Sequence, residues 1–390
     1  MARAKQSSHN MKNLALPLLI LFALTSSLCL AEQKSAAAKG SHIVVDQLGY
    51  LPGMAKVAVI RSPVSGQDKK HMFLPGDLYE LVNVDSREVV YSAEPIPWIG
   101  GKPDRSSGDK AWRFDFSTVV TEGRYYVRDR KRGARSFNFT IAADVYRDTL
   151  REAFRTFFYQ RAGFAKQEPW AEAAWADGAS HLGPGQDSEA RRFDARGDAS
   201  TARDLSGGWY DAGDYNKYTN WTADYVLGLL HSWLENPAAW GDDFNIPESG
   251  NAVPDILDEV AWGVAWLQRM QQEDGSCLSI VGLDHASPPS AADGPSYYGP
   301  SSTSATLSCA GAFAFASKVF SSQPQLQQLA TELATAARSA WNWAVANPAV
   351  VFRNNDPAYG SQGLGAGQQE ISALERLYLK IRTSVYLLDT

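Results

Sequence analysis

The hydrophobic period of this chain changes near Val145, and the change divides what it can fold into. Before that point, short runs of β-branched and aromatic residues alternate with turn residues, at 42–46, 56–60, 77–81, 88–91, 124–127 and 136–140. Runs of this length without a helical period predict an all-β sandwich over 42–142. No set of chemically active side chains recurs in it, so it reads as a structural module. From Val145 the period becomes helical. Tyr146, Leu150, Phe154, Phe157 and Phe158 form one stripe, and Trp221, Tyr225, Leu229 and Trp233 form another. After Pro254, the residues Ile256, Val260, Val264, Leu267 and Met270 continue the pattern, with Gly275 as a stop. Further helices are predicted at 303–320, 326–344 and 370–388, giving about six helices over 143–390. The loops between them are long. The one at 284–303 is rich in Ser, Pro and Tyr, and long loops in a compact domain are usually functional.

The amino terminus carries an address. Arg3, Lys5 and Lys12 precede an apolar run at 14–24, and Cys29-Leu30-Ala31 follows. That order matches a secretory signal over 1–31, followed by a small, charged linker at 32–41. The chain is therefore expected to be secreted or periplasmic, without membrane contact once the signal is removed, and to work as a monomer. Cleavage after Ala31 leaves Cys277 and Cys309, which either pair or stay as buried thiols. The net charge of −6, with no long basic run, excludes nucleic acid as a partner.

The most informative segment is 204–218, Asp-Leu-Ser-Gly-Gly-Trp-Tyr-Asp-Ala-Gly-Asp-Tyr-Asn-Lys-Tyr. Gly207, Gly208 and Gly213 permit a turn that other residues resist. The turn holds two carboxylates, Asp211 and Asp214, three residues apart. Such a pair can aim at one water molecule, and Lys217 or hydrogen bonds would relieve the repulsion between the two charges. Trp209, Tyr210, Tyr215 and Tyr218 offer flat faces for stacking on sugar rings. A helix beginning near Asn220 would support the loop. Two carboxylates among aromatics point to glycosidic hydrolysis, in which one carboxylate activates water while a separate acid protonates the leaving oxygen.

This string resembles the hallmark of glycoside hydrolase family 9, whose members are mostly inverting β-1,4-glucanases. The segment at 42–52 resembles the start of the immunoglobulin-like module that precedes many of these catalytic domains. The segments at 156–163 and 246–259 resemble the first barrel helix and a second family hallmark. The resemblance covers everything after the signal. It implies an immunoglobulin-like β-sandwich followed by an all-α (α/α)6 barrel, here incomplete with about six of twelve helices. It also implies Asp214 as the base that deprotonates water, Asp211 as its assistant, and cellulose or related β-glucan oligosaccharides as substrate.

The departures from the family pattern matter too. The family's general acid, a Glu near the end of the catalytic domain, has no match. Glu370 and Glu375 read as first-turn helix charges, and this exact chain reads as a truncated piece. Relatives often carry a Cys/His zinc site near the start of the barrel. Here Ala162 and Ser180 stand where cysteines would be and only His181 remains, so zinc is not expected. No cofactor is required, although Glu248, Asn251, Asp255, Asp258 and Glu259 form an oxygen-rich group suited to a structural calcium or, alternatively, to a helix N-terminus. His285 and Tyr298, in the loop after that helix, are candidate substrate contacts. Two alternatives stay open: an exo-acting glucosidase or glucosaminidase with the same base, and a sugar-binding piece without catalysis.

Overall fold

The computed structural model describes residues 42–352 and 379–387, except 381 and 385. The signal and linker segments, Glu370, Glu375 and most of the last expected helix lie outside the described residues. Contacts divide the chain into two compact units, Met1–Thr149 and Leu150–Thr390.

In the first unit, eight strands form two antiparallel four-stranded sheets. One has the order β1 (Ile43–Val44), β2 (Val57–Pro63), β6 (Asp109–Asp115), β5 (Ile96–Pro97). The other runs β4 (Val89–Ala93), β3 (Tyr79–Asn83), β7 (Gly123–Asp129), β8 (Phe139–Ile141). Alternation sorts the residues: on β2, Ala58 and Ile60 are buried while Val59 between them is exposed. Ile60, Leu81, Phe114, Phe116, Tyr125 and Val127 fill the core. Two strands are absent from the sequence expectation: the two-residue β5, and β6, which reads Asp-Lys-Ala-Trp-Arg-Phe-Asp. The charged residues of β6 hide the period, but in the sheet Phe114 points inward and its neighbours Arg113 and Asp115 point out.

In the second unit the helices are α1 (Arg147–Gln160), α2 (Thr219–Glu235), α3 (Asp255–Met270), α4 (Thr303–Phe320) and α5 (Gln327–Ala346). These match the expected stripes to within a few residues. Helix α4 is buried at every position but Lys318, because its run of Ala, Ser, Gly and Cys lets neighbours close on all sides. Ser302 caps it, its hydroxyl accepting from the Ala305 N–H at 3.2 Å. Residues 379, 380, 382–384, 386 and 387 are helical. Among the described residues no helix is long and apolar enough to cross a membrane. Cys277 and Cys309 are free, buried thiols, and burial pushes Cys277 up.

The all-α expectation for 143–390 needs one correction. A small sheet, ordered β10 (Lys217–Tyr218), β11 (Ile280–Gly282), β12 (Tyr297–Tyr298), β9 (Arg191–Arg192), crosses this unit. Strands of two or three residues are too short to show a period in sequence. Strand β10 leads straight into α2, so the 204–218 loop is fixed at its far end by both a sheet and a helix.

Candidate active site

Four successive carbonyls of the loop before the two aspartates, those of residues 205–208, are held. Leu205 O accepts from Lys217 Nζ at 2.9 Å and from Trp266 Nε1 at 3.1 Å. Ser206 O accepts from Arg269, and Gly207 O from Lys217 Nζ at 2.8 Å. Gly208 O accepts from Trp262 Nε1 at 3.0 Å and from the Ala162 N–H at 2.8 Å. Gly207 and Gly208 take φ of +85° and +76°, and a Cβ on Gly208 would lie 2.6 Å from Trp266 Cγ. Glycine is required there on both counts. Gly213 is not: it has no neighbour within 4 Å of an added Cβ, and the left-handed residue of the turn is Tyr215, at φ +56°.

The turn gives the two carboxylates different surroundings. Asp214 is exposed. Its Oδ1 accepts from the Asn216 N–H at 3.2 Å and its Oδ2 from Asn216 Nδ2 at 2.9 Å. Asp211 is half-buried, and its Oδ1 accepts from the Tyr225 hydroxyl at 3.2 Å. Burial, with a further contribution from the Asp214 charge, raises the Asp211 carboxyl above the usual range, while the Tyr225 hydrogen bond opposes the rise. Burial and the same Asp211 charge push Tyr225 up to about 12. Beside the pair, Tyr215 stacks on the exposed His285, with ring centres 5.7 Å apart and planes 26° from parallel.

Lys217 does not serve the aspartate pair as expected. It lies fully buried in β10, where its three donors go to Asp187 Oδ2 at 2.6 Å, Leu205 O and Gly207 O. Burial lowers its ammonium and the Asp187 charge opposes this. Asp187 also accepts from Ser296 Oγ at 2.7 Å.

Four of the rings expected to stack on sugar are structural. Trp209 is 2% exposed, and its Nε1 donates to Glu259 Oε1 at 2.7 Å. Tyr210 is buried, with its hydroxyl bonded to Ser180 Oγ and to His181 Nδ1. Tyr218 is buried against Trp221, and Tyr298 is buried with its hydroxyl donating to Thr201 O at 2.8 Å. The space beneath a glycine-bent loop has to be filled, and these rings fill it. Tyr215 and His285 keep an accessible face.

His181 is equally engaged. Its Nε2 lies 2.9 Å from Asp284 O, a carbonyl that can only accept, so this nitrogen carries a proton. Tyr210 takes the other side of the ring, where a metal ligand would need a free nitrogen.

The five groups expected to hold calcium have protein partners. Arg161 is fully buried and forks onto Glu248 at 3.0 Å and Glu259 at 2.8 Å. Burial alone would lower its guanidinium, and the two glutamates more than offset that. Asn251 Nδ2 donates to Asp258 at 3.1 Å, and Asp255 Oδ2 accepts from the Phe244 N–H and the Ser249 hydroxyl. Among the described residues no three His, Cys, Asp or Glu side chains converge as a metal site requires.

Burial pushes Asp255 up to about 6 and Asp258 up to about 7. A carboxyl with a raised folded-state pKa holds its proton longer when folded, so stability falls as pH rises from the ordinary carboxylate range through the folded pKa. The helical unit is expected to lose stability between about pH 4 and 7, by at most about 1.4 kcal/mol per pH unit for each such group. Asp258→Asn should flatten this slope in urea titrations at pH 4.5 and 7. An unchanged slope would remove Asp258 as its source.

Asn216, Lys217's partner Asp187, and Tyr225 are site residues that the sequence did not single out. The Asp-x-Asn spacing of a local turn could have pointed to Asn216. Nothing local points to Tyr225, which reaches Asp211 from the second turn of α2.

Residues 146–387 match the model of glycosyl hydrolase family 9, and residues 38–133 match that of the cellulase N-terminal ig-like domain. This chain belongs to glycosyl hydrolase family 9. It is 29% identical over 357 residues to the cellulose 1,4-beta-cellobiosidase of Acetivibrio thermocellus, an alignment covering 82% of this chain and 38% of that one. A crystal structure of a metagenome-derived glycoside hydrolase family 9 endoglucanase superposes with a TM-score of 0.72 at 30% identity, covering 88% of this chain and 60% of that one. The structure of AaCel9A in complex with cellobiose-like isofagomine gives a TM-score of 0.71 at 26% identity, covering 89% and 59%. The chain thus spans less than two thirds of the length of each of these relatives.

Proposed function

We propose that this chain carries the water-activating side of an inverting β-1,4-glucan hydrolase, exported by its amino-terminal signal, with cellulose-type oligosaccharides as substrate. Asp214 is the base and Asp211 its assistant. The observation that supports this best is the asymmetry of the pair. One carboxylate is exposed and oriented by two N–H donors, and the other is half-buried with burial raising its pKa. Asp214 takes one proton from a water held between the two carboxylates, and the hydroxide so formed attacks the anomeric carbon from the face opposite the leaving oxygen. A separate acid must protonate that oxygen, and we assign none within this chain. Tyr215 and His285 offer the flat rim against which a pyranose ring stacks.

Inversion fixes the first product. With a soluble β-1,4-oligosaccharide and the full-length protein, proton NMR during the first minutes should show the new reducing end as the α-anomer. A β-anomer appearing first would exclude a direct attack by water.

One observation favours action near a chain end over internal cleavage. The 284–302 loop is tied to the long loop that follows α1 at several places besides the His181–Asp284 contact. Ser290 donates to Asp177, Gln186 Nε2 to Ala292 O at 2.9 Å, and Ser296 to Asp187. Such cross-linking makes the His285 rim a fixed wall. The same NMR sample reports this, since end cleavage yields one short product from the outset.

A further inference from the structure

Asn216 lies between Tyr215 and Lys217 at the end of the catalytic turn. It is only 3% exposed, yet it touches everything that defines the pair. Its N–H and Nδ2 donate to the two oxygens of Asp214, at 3.2 and 2.9 Å. Its backbone carbonyl accepts from the Asp211 N–H at 3.0 Å. Its Oδ1 accepts from the Leu283 N–H at 3.0 Å. That last bond fixes the amide orientation: a backbone N–H can only donate, so the oxygen must face Leu283 and the NH₂ must face the carboxylate. Leu283 immediately follows β11 and lies two residues before His285, the outer member of the stacked rim.

We infer that Asn216 is the positioning residue of the base: it holds the Asp214 carboxylate in one rotamer and references it to the strand that carries the sugar-stacking rim. This inference rests on the assignment of Asp214 as base. An exposed Asp on a turn otherwise has free χ rotation, and a base is useful only where its oxygen meets the water. Two donors from one buried residue remove that freedom without bringing in a positive charge. Alanine at 216 leaves Asp214 one backbone donor and orphans the Leu283 N–H. Aspartate keeps the shape of asparagine but has no side-chain donor when ionised and sets a third carboxylate against the pair. A side chain that mattered only as the acceptor of the Leu283 N–H would tolerate aspartate better than alanine. A positioning amide requires the opposite order.

The test uses the full-length protein, with Asn216→Ala, Asn216→Asp and Asp214→Asn measured on cellotetraose. The expected result is a kcat loss of roughly 10- to 100-fold for Asn216→Ala, by analogy with the loss of partners that orient metal ligands. Asn216→Asp should lose more, and KM of Asn216→Ala should stay close to the parent value, while its urea midpoint falls modestly because the buried Leu283 N–H loses its acceptor. Wild-type kcat in both Asn216 variants, with hydrolysis abolished in Asp214→Asn, overturns the role of Asn216 and leaves the base intact. Hydrolysis persisting in Asp214→Asn overturns the base assignment instead. An activity-free readout accompanies these. In ¹⁵N spectra the Asn216 side-chain amide should shift as Asp214 is protonated, and that shift should vanish in Asp214→Asn. An amide unmoved by acid in the parent shows that the contact is absent in solution and overturns the inference directly.

Discussion

Replacing Asp214 by Asn is expected to reduce hydrolysis by roughly 10²- to 10⁴-fold, the contribution of a positioned general base. Dissociation constants for cello-oligosaccharides, measured by calorimetry, should change little. The asymmetry follows from the geometry. Asp214 is an exposed carboxylate at the tip of a turn that is anchored elsewhere, through Lys217, Trp262, Trp266 and Arg269. An amide of the same shape leaves those anchors in place. It removes only the group that accepts a proton from water. Asp211→Asn should do less, because Asp211 is assigned to hold water and is tied to Tyr225. A double loss, of both binding and turnover in Asp214→Asn, would indicate a collapsed loop and a structural role for this carboxylate.

The largest expected effect on stability lies away from the chemistry. Arg161 is fully buried, forks onto the equally buried Glu259, and reaches the part-exposed Glu248. Glu259 in turn accepts the Trp209 Nε1–H, so the segment ahead of the catalytic turn rests on this ion pair. Arg161→Met would leave Glu259 charged, buried and short of its main partner, a change that typically costs 3–5 kcal/mol, roughly. Urea titration should show that loss. The double variant Arg161→Met, Glu259→Gln should recover part of it, since a neutral amide is far cheaper to bury than an unpaired carboxylate. A loss below about 1 kcal/mol would mean that water reaches this site and that the pair acts as a surface bridge does.

What the sequence made legible follows a physical line. Helices α2 and α3 bury long, regular stripes, and their apolar spacing announced them. Strand β6 buries Phe114 while exposing Arg113 and Asp115, so its composition masked it. The small sheet β9–β12 was invisible because pairing between residues such as Lys217 and Val281 depends on partners far along the chain. At the site, the Asp211–Asp214 turn could be read locally because its glycines and carboxylates are close in sequence. The roles of the aromatic residues could not. Trp209, Tyr210, Tyr218 and Tyr298 look like a stacking surface in a string of letters, yet three dimensions turn each inward, and only Tyr215 and His285 face out. The acidic group at 248–259 was ambiguous for a similar reason. Its oxygen ligands suit calcium by type, but a single cation, Arg161, ninety-eight residues before Glu259, claims two of the five.

The central claim, that Asp214 removes a proton from water beside the anomeric carbon, is tested most directly by azide rescue of Asp214→Ala. Azide is a nucleophile that needs no deprotonation and fits the space the carboxylate vacates. Added azide should restore turnover in this variant on a glucoside with a good leaving group, and proton NMR should identify the product as the α-glycosyl azide. Azide should leave the parent protein unaffected. A variant that keeps parental hydrolysis without azide, or one that yields the β-azide, would contradict the account.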